Sequence, residues 1–495
     1  MKMKKVFCLL FMFGIVCSCT NVQEDIKPNA VVPSKKQIEY QSMEFTGFIH
    51  YNLFTFPRTI KDPKNSKWRG NEPAASFNPK GVDAEQWVQV AKEVGMKELI
   101  LTVKHHEGFS IWPSAYSDYT VRESTYKNGK GDIVKEFTDA CHKFGMKVGF
   151  YYSPFDAHRA DYGKPEYNTF FKNQLRELLT NYGEISEIWF DGAAFWDGYY
   201  GGANERRVVN RMTYYPWEEI NKLIYELQPE ASIFNFFGPD CRWIGNEKGI
   251  ADETCWSTIN GDSLIIGDQS KFNYLGSGDP NGKNWIIGIC DVPNRPSWSW
   301  LKEEDDKVAT PQQLVDLYYH SIGRNAVLLL NVPPNIDGVF PEKDVSVLKE
   351  FRSIIDETFK VNIAENAKAT ASNFRAKAAK FSPANITDNI DSTYWATDDD
   401  QITASIEIET DSRKEFDRIL LQEPIRFGQR ISEFDIEAYK DNTWQTIAKG
   451  TTIGYKRILR INPVQCSKIR INITGATNTP ALSNLGLYKA SPKEL

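Results

Sequence analysis

The 495-residue sequence is poor in the residues that announce a metal centre or a covalent framework. It has eight cysteines, and three of them, Cys8, Cys17 and Cys19, fall within the first nineteen residues. The other five, Cys141, Cys241, Cys255, Cys290 and Cys466, are odd in number and scattered. That fits neither a disulfide framework nor a CxxC site, so no structural zinc is expected, although an oxidising compartment could pair Cys241 with Cys255. Positive charge is not in excess: 59 lysines and arginines face 65 acidic residues, and the basic residues are dispersed apart from the N-terminus. Such a chain has no phosphate-binding face, and a nucleic-acid partner is excluded. There is no glycine-rich strand-to-helix turn of the dinucleotide-binding kind. Beyond the N-terminus no apolar run is long enough to cross a bilayer. Histidine is also scarce, six in all, yet two stand side by side as His105 and His106.

What the chain does have is length, a hydrophobic content of 41% and an aromatic content of 13%. These rule out disorder and predict one large and one smaller unit, each with its own core. Thirteen tryptophans and twenty-two tyrosines suit stacking on sugars, although most aromatics in a chain of this size are core. The start, "MKMKKVFCLLFMFGIVCSCT", places Lys2, Lys4 and Lys5 before an eleven-residue apolar stretch, Val6 to Val16, which reads as an export signal. It closes on "VCSC", which resembles a bacterial lipoprotein box. The resemblance implies cleavage before Cys19 and a lipid on its thiol, tethering the mature chain to the cell envelope. A soluble secreted product cut nearby is the alternative.

From residue 44 to 357 short apolar runs alternate with amphipathic segments. "FTGFIHY", "ELILTVK", "MKVGFYYS", "EISEIWFDG", "ASIFNF", "NWIIGIC" and "AVLLLNVPP" read as strands, and segments such as 83–95, 132–145 and 167–183 read as helices. About eight such units predict a (β/α)8 barrel of the TIM type, with a doubly wound open sheet as the alternative. After residue 360 the period changes to two: in "ASIEIET" Ala404, Ile406 and Ile408 share one face, and Ser405, Glu407 and Glu409 the other. Further runs of this style predict an all-β sandwich over 363–491. The expected organisation is a lipoprotein-type signal peptide at 1–19, a linker at 20–43, the barrel at 44–357 and the sandwich.

In a parallel barrel the active site lies at the C-terminal strand ends, so the polar residues that terminate apolar runs are the candidates. They are His50, His105, His106, Tyr151, Tyr152, Asp191 and Asn331. A strand-end polar residue is commonly only a cap or a loop hydrogen bond, but several in one chain point to a shared pocket. Neighbours on a regular strand face opposite sides, so His105 and His106 can share one site only if the backbone bulges or leaves the sheet. Two imidazoles there can grip vicinal hydroxyls, with Trp112 and Phe109 offering apolar faces. "HHEG" is not a helical HExxH and brings no further ligands at metal-binding spacing, so no metal is assigned. Asp191 is followed by "GAAFWDGYYGG", too rich in glycine and aromatics to be a helix start, which weakens the capping explanation. A carboxylate at a barrel mouth beside aromatics suits glycosidic bond cleavage if a second carboxyl joins it.

"FIHYNLFTF", "KHHEGFSIWPS", "GFYYSP", "IWFDG", "GPDCRWIGNEKG" and "LLLNVPPNIDG" together resemble glycoside hydrolase family 29, the exo-acting α-L-fucosidases, over residues 44–357. The resemblance implies a retaining mechanism without a cofactor, in which Asp191 attacks the anomeric carbon. It also implies that His50, His105, His106 and Tyr151 hold fucose hydroxyls. "GPDCRWIGNEKG" is similar to the branch that acts on α-1,3 and α-1,4 linkages, where the glutamate of "GNE", here Glu247, protonates the leaving sugar; Asp240, Asp252 and Glu253 are the rivals. Arg242 would orient this loop or contact substrate, with a plain surface arginine as the alternative. Glu72 of "RGNEP" aligns with a hydroxyl-binding glutamate, though Pro73 follows where some members carry an aromatic. Trp298 of "NRPSWSW" matches a tryptophan that packs on the C6 methyl of fucose, the alternative being a core loop aromatic. The tail, with "ITDNIDSTYWATDDD", resembles the discoidin or factor 5/8 type C jelly roll.

The expected partners are therefore fucosylated glycans, with membrane contact only through the anchor and the periplasmic or surface face open. A non-catalytic glycan-binding lipoprotein and a barrel glycosidase of other specificity, such as a galactosidase, are the competing readings.

Overall fold

Eight short runs of branched and aromatic residues close into a parallel barrel in the computed structural model of the protein, which describes residues 24–56, 70–191, 199–200, 202–207, 209–411 and 413–494. The expected signal peptide at 1–19, with Cys19, lies outside the described residues. The barrel strands are β1 (Phe45–Ile49), β2 (Glu98–Lys104), β3 (Lys147–Tyr152), β4 (Glu187–Trp189), β5 (Ser232–Phe234), β6 (Cys241–Trp243), β7 (Ile287–Pro293) and β8 (Val327–Asn331). Their order around the barrel follows the sequence, and β1 closes it by pairing with both β2 and β8.

Alternation along each strand sorts the residues into two layers. Phe48, Ile100, Tyr151, Trp189, Ile289 and Leu329 fill the interior, while Leu99, Leu101, Phe150 and Tyr152 point outward to the helices. Those helices are amphipathic, and three of them begin at side-chain caps that their sequences supply. Asp83 caps Ala84–Glu93, Asp132 caps Ile133–Phe144, and Thr310 with Gln313 forms a capping box at Pro311–His320.

Two features depart from the sequence reading. The sixth strand, Cys241–Trp243, lies within what was read as a loop, and only residues 235–240 separate it from β5. The long excursion to β7 then carries a short helix, Phe272–Ser277. Secondly, the expected linker contains a helix, Lys35–Met43, with a capping box made by Ser34 and Gln37. This helix closes the N-terminal end of the barrel: Tyr40 and Met43 join the interior cluster, and the Tyr40 hydroxyl donates to Glu187 Oε2 at 2.9 Å.

The C-terminal part is all-β. A five-stranded antiparallel sheet contains Ala404–Glu409, Ile431–Lys440 and Lys468–Ala476, and a three-stranded sheet has Phe416–Gln422 at its centre. In Ala404–Glu409 it is Ile406 and Ile408 that are buried. The two parts are joined by specific polar contacts. Gln429 accepts from the Ser257 amide at 2.8 Å, the Tyr455 amide donates to Asn325 Oδ1 at 2.8 Å, and Lys456 pairs with Glu44. All five described cysteines are buried thiols; Cys241 lies inside the barrel and Cys255 outside it beside Cys290, so the considered pair is not formed. Among the described residues no helix is long and apolar enough to cross a membrane.

Candidate active site

The C-terminal ends of β1, β2, β3, β4 and β8 bring polar side chains to one mouth. Asp191 stands two residues beyond β4, and its Oδ2 receives the Tyr151 hydroxyl at 2.8 Å and faces His106 Nε2 at 3.3 Å. Its other oxygen, Oδ1, has no protein partner among the described residues. Burial alone would raise the proton affinity of this carboxyl, but His106, the Tyr151 hydroxyl and His105 outweigh it and hold the group ionised well below the usual carboxylate range. Tyr152, one residue on, points the opposite way and donates to Gln174 of the helix Pro165–Asn181 at 3.0 Å.

The paired histidines share the mouth because β2 stops before them. The pairing of β2 with β3 shifts between Thr102 and Lys104, and the chain then turns, with the Gly108 amide donating to the His105 carbonyl at 3.0 Å. Gly108 has φ +87°, and a Cβ there would lie 2.2 Å from Asp156 Oδ1, so the turn requires glycine. Beneath it, Lys104 is fully buried, paired with Asp156 at 3.0 Å and 4.6 Å from the centre of the Tyr152 ring. His106 Nδ1 lies 2.6 Å from Ser153 Oγ, which donates to the Phe155 carbonyl, so the ring is the donor. The His106 amide donates to His105 Nδ1 at 2.8 Å. His105 packs parallel to Tyr151, ring centres 5.2 Å apart, and burial followed by the charge of His106 keeps it neutral.

His50, beyond β1, is buried with its ring 5.6 Å from that of His105 and 5.1 Å from Trp298. Burial, then His105, push its proton affinity down to about 3, although its contact with Asn331 works the other way. Asn331, the last residue of β8, is completely buried; its Oδ1 lies 2.8 Å from His50 Nδ1 and 3.2 Å from the His50 amide, and its Nδ2 donates to the Trp298 carbonyl at 2.7 Å. Trp298 Nε1 in turn reaches Glu247 Oε2 at 3.4 Å. Glu247 lies in the exposed loop after β6, yet crowding of its carboxyl and the charge of Asp191 raise its proton affinity above the ordinary glutamate value. A third carboxyl, Asp291 of β7, is buried in the barrel, and that burial, then the charge of Glu247, push its proton affinity well above the ordinary carboxylate value.

Two expected site residues are placed elsewhere. Trp112 is buried outside the barrel, its Nε1 directed at Glu177 of Pro165–Asn181 at 3.3 Å. The chain after Gly108 folds back along β2, with the Ile111 amide donating to the Val103 carbonyl, and that carries the indole away from the mouth. Arg242 is neither a substrate contact nor a surface residue. It alternates with the inward Cys241 and donates to the carbonyls of Trp256, Leu275 and Ile286, so it pins the excursion between β6 and β7. Glu72 is buried, its carbonyl accepting from Tyr119 at 2.6 Å; Tyr119 stacks on His158, which sits against Gly108. Of the rival carboxyls, Asp240 binds Lys36 and Tyr225 at the closed end, Glu253 pairs with Arg324 and Arg457, and Asp252 lies against Gly276. Sequence reasoning missed Ser153, although "GFYYSP" displays it at a strand end, and it named Asn331 without giving it a role.

An ionised carboxylate with one oxygen unpartnered among the described residues, a second carboxyl of raised proton affinity and three imidazoles gathered at one barrel mouth fit a barrel glycosidase. The Alpha-L-fucosidase family model matches residues 13–356, and the F5/8 type C domain model matches residues 368–485. The chain belongs to the alpha-L-fucosidases, glycoside hydrolase family 29, and carries a C-terminal F5/8 type C domain. It is 38% identical to Alpha-L-fucosidase 1 of Arabidopsis thaliana over 97% of this chain and 93% of that protein. Among solved structures it is similar to a Ruminococcus gnavus GH29 fucosidase in complex with fucose, with 33% identity and a TM-score of 0.84, covering 96% of this chain and 98% of the other. A putative alpha-L-fucosidase from Bacteroides thetaiotaomicron gives 35% identity and a TM-score of 0.84 over 94% and 100%.

Proposed function

We propose that the protein is a retaining exo-α-L-fucosidase that releases terminal α-1,3- or α-1,4-linked L-fucose, with Asp191 as nucleophile and Glu247 as acid/base. The environment of Asp191 carries this reading: Oδ2 is engaged by Tyr151 and His106 while Oδ1 has no partner among the described residues. In the first step Oδ1 attacks the anomeric carbon as Glu247 gives its proton to the glycosidic oxygen, and the aglycone departs as an alcohol. In the second, Glu247 takes a proton from water, which displaces Asp191 from the anomeric carbon and leaves fucose of unchanged configuration. His50, His105 and His106 hold the sugar hydroxyls, and Trp298 offers its face to the methyl group. The linkage assignment is supported by "GPDCRWIGNEKG" around Glu247, and export with a lipid on Cys19 by the basic and apolar leader ending in "VCSC". The reading favours an enzyme over a glycan-binding protein because the two carboxyls differ in proton affinity in the sense that acid and nucleophile require.

The test is fucose release from a Lewis a trisaccharide and from an aryl α-L-fucoside. Loss of both in Asp191→Gly, with partial recovery as fucosyl azide when azide is added, is the expected result. Cleavage of the aryl fucoside alone would refute the linkage assignment, and an inverted first product would refute the double displacement.

A further inference from the structure

The hydrogen bonds around Asn331 allow one reading of their polarity. Its Nδ2 meets the Trp298 carbonyl, which can only accept. Its Oδ1 meets the His50 backbone amide, which can only donate, at 3.2 Å. Two independent partners thus fix which end of the side-chain amide is which, and turning it over would oppose like groups on both sides. The same Oδ1 lies 2.8 Å from His50 Nδ1, so that nitrogen must carry the hydrogen. His50 is buried and neutral, so its one N–H is spent on Asn331, and Nε2 is left as a bare lone pair. No protein group among the described residues meets that Nε2.

We propose that Asn331 is a positioning residue that makes His50 a one-way hydrogen-bond acceptor for a substrate hydroxyl and, through the Trp298 carbonyl, ties the partner of Glu247 to the same strand end. The inference rests on the glycosidase reading of the site. His105 beside it accepts the His106 amide at its own Nδ1, which lies 3.6 Å from Glu107 Oε2. A neutral imidazole that only accepts, as His50 does, suits a hydroxyl, which has a hydrogen to give, and is unsuited to an anion. The groups facing His50 are Phe48, His105, Tyr151 and Trp298, with Asp191 and His106 further off; none competes with Asn331 for Nδ1.

The chain has only six histidines, so their ring nitrogens can be assigned by ¹⁵N NMR on the full-length protein. The expected result is a His50 ring with hydrogen on Nδ1 that does not titrate between pH 5 and 8. An Nε2–H form would overturn the proposal without any reference to activity. In Asn331→Leu, similar in size but without the amide, the ring should lose this preference, and KM for an aryl α-L-fucoside should rise about tenfold while kcat changes less, the scale of one substrate hydrogen bond. Asn331→Asp keeps an acceptor for Nδ1 but sets a charge beside it, so His50 should titrate at higher pH and kcat/KM should fall on the acid side where the wild type is flat. Unchanged KM in the first variant with an unchanged pH profile in the second would refute the role. If the leucine variant does not fold, the wild-type NMR pattern and the aspartate variant still decide. Wild-type protein that releases no fucose would sink the activity reading instead, and leave the tautomer measurement standing.

Discussion

At the scale of single residues, two carboxyls at one mouth are driven apart by their surroundings. Asp191 is surrounded by donors and stays ionised, whereas Glu247 meets crowding and a neighbouring negative charge and keeps its proton longer. Because Glu247 works as an acid while protonated, activity on a poor leaving group should fall as pH rises through its raised proton affinity. Glu247→Ala should therefore lower kcat/KM on a trisaccharide by about 10²- to 10⁴-fold. On an aryl fucoside with an acidic phenol the loss in the first step should be much smaller, since that leaving group needs little protonation. Rates on the two substrates across pH 5 to 9 measure this, and equal losses on both would assign the acid elsewhere. Much of this site was legible because strand ends are where a barrel displays its chemistry: His50, Tyr151, Asp191 and Asn331 each terminate an apolar run. Trp112 was misplaced because nearness in sequence to His106 says nothing of a chain that doubles back; Ser110 pairs with Thr120, and the indole ends against a helix. Ser153 went unnoticed because its role depends on His106, which a strand and a helix separate from it in sequence.

At the scale of elements, the sixth strand shows where periodicity fails. Cys241–Trp243 is three residues long, too short for alternation to register, and a polar arginine sits at its centre. Had the strand been recognised, alternation with the inward Cys241 would have placed Arg242 outside the barrel. The helix Lys35–Met43 was invisible for a related reason: its buried face includes Gln37 and Gln41, polar residues whose Nε2 groups donate to the Trp285 carbonyl and to Asn325. Where this helix closes the barrel, Tyr40 meets Glu187, and Glu187 in turn meets Glu98, both carboxyls fully buried. Burial first, and for Glu187 then the charge of Glu98, raise both proton affinities. The folded protein thus holds protons that the unfolded chain releases from about pH 4.5 upward, so this pair costs nothing in acid and takes stability away as pH rises. Glu187→Gln keeps an acceptor for Tyr40 and removes one of the two titrations. Its melting temperature should match wild type near pH 4 and exceed it increasingly toward pH 8, by at most about 1.4 kcal/mol per pH unit per proton. A difference constant with pH would mean that Glu187 is charged in the folded state.

At the scale of the whole molecule, the barrel and the sandwich are not beads on a string. Residues 26–29 run across the sandwich, where Ile26 joins Phe381, Tyr394 and Phe427 and the Asn29 amide donates to the Phe427 carbonyl, before the chain enters the helix that closes the barrel. On the other side Arg457 of the sandwich is almost wholly buried, donating to the Glu253 carbonyl at 2.7 Å and pairing with its carboxylate, which also binds Arg324 of the barrel. Parting the two units would exchange these direct contacts for water and would also expose Leu420, Ile458 and Tyr488 of the sandwich, which pack into the apolar cluster of the barrel. Barrel and sandwich should consequently melt in one cooperative transition, with fucosidase activity and near-ultraviolet circular dichroism lost at the same temperature. Arg457→Ala, which removes one partner and leaves Glu253 to Arg324 alone, should lower that single midpoint while leaving kcat and KM at 25 °C near wild type, because neither Arg457 nor Glu253 is among the groups that set the charge of Asp191 or Glu247. Two separated transitions in the wild type, with activity surviving the first, would make the sandwich an independent module whose contacts serve attachment and not stability.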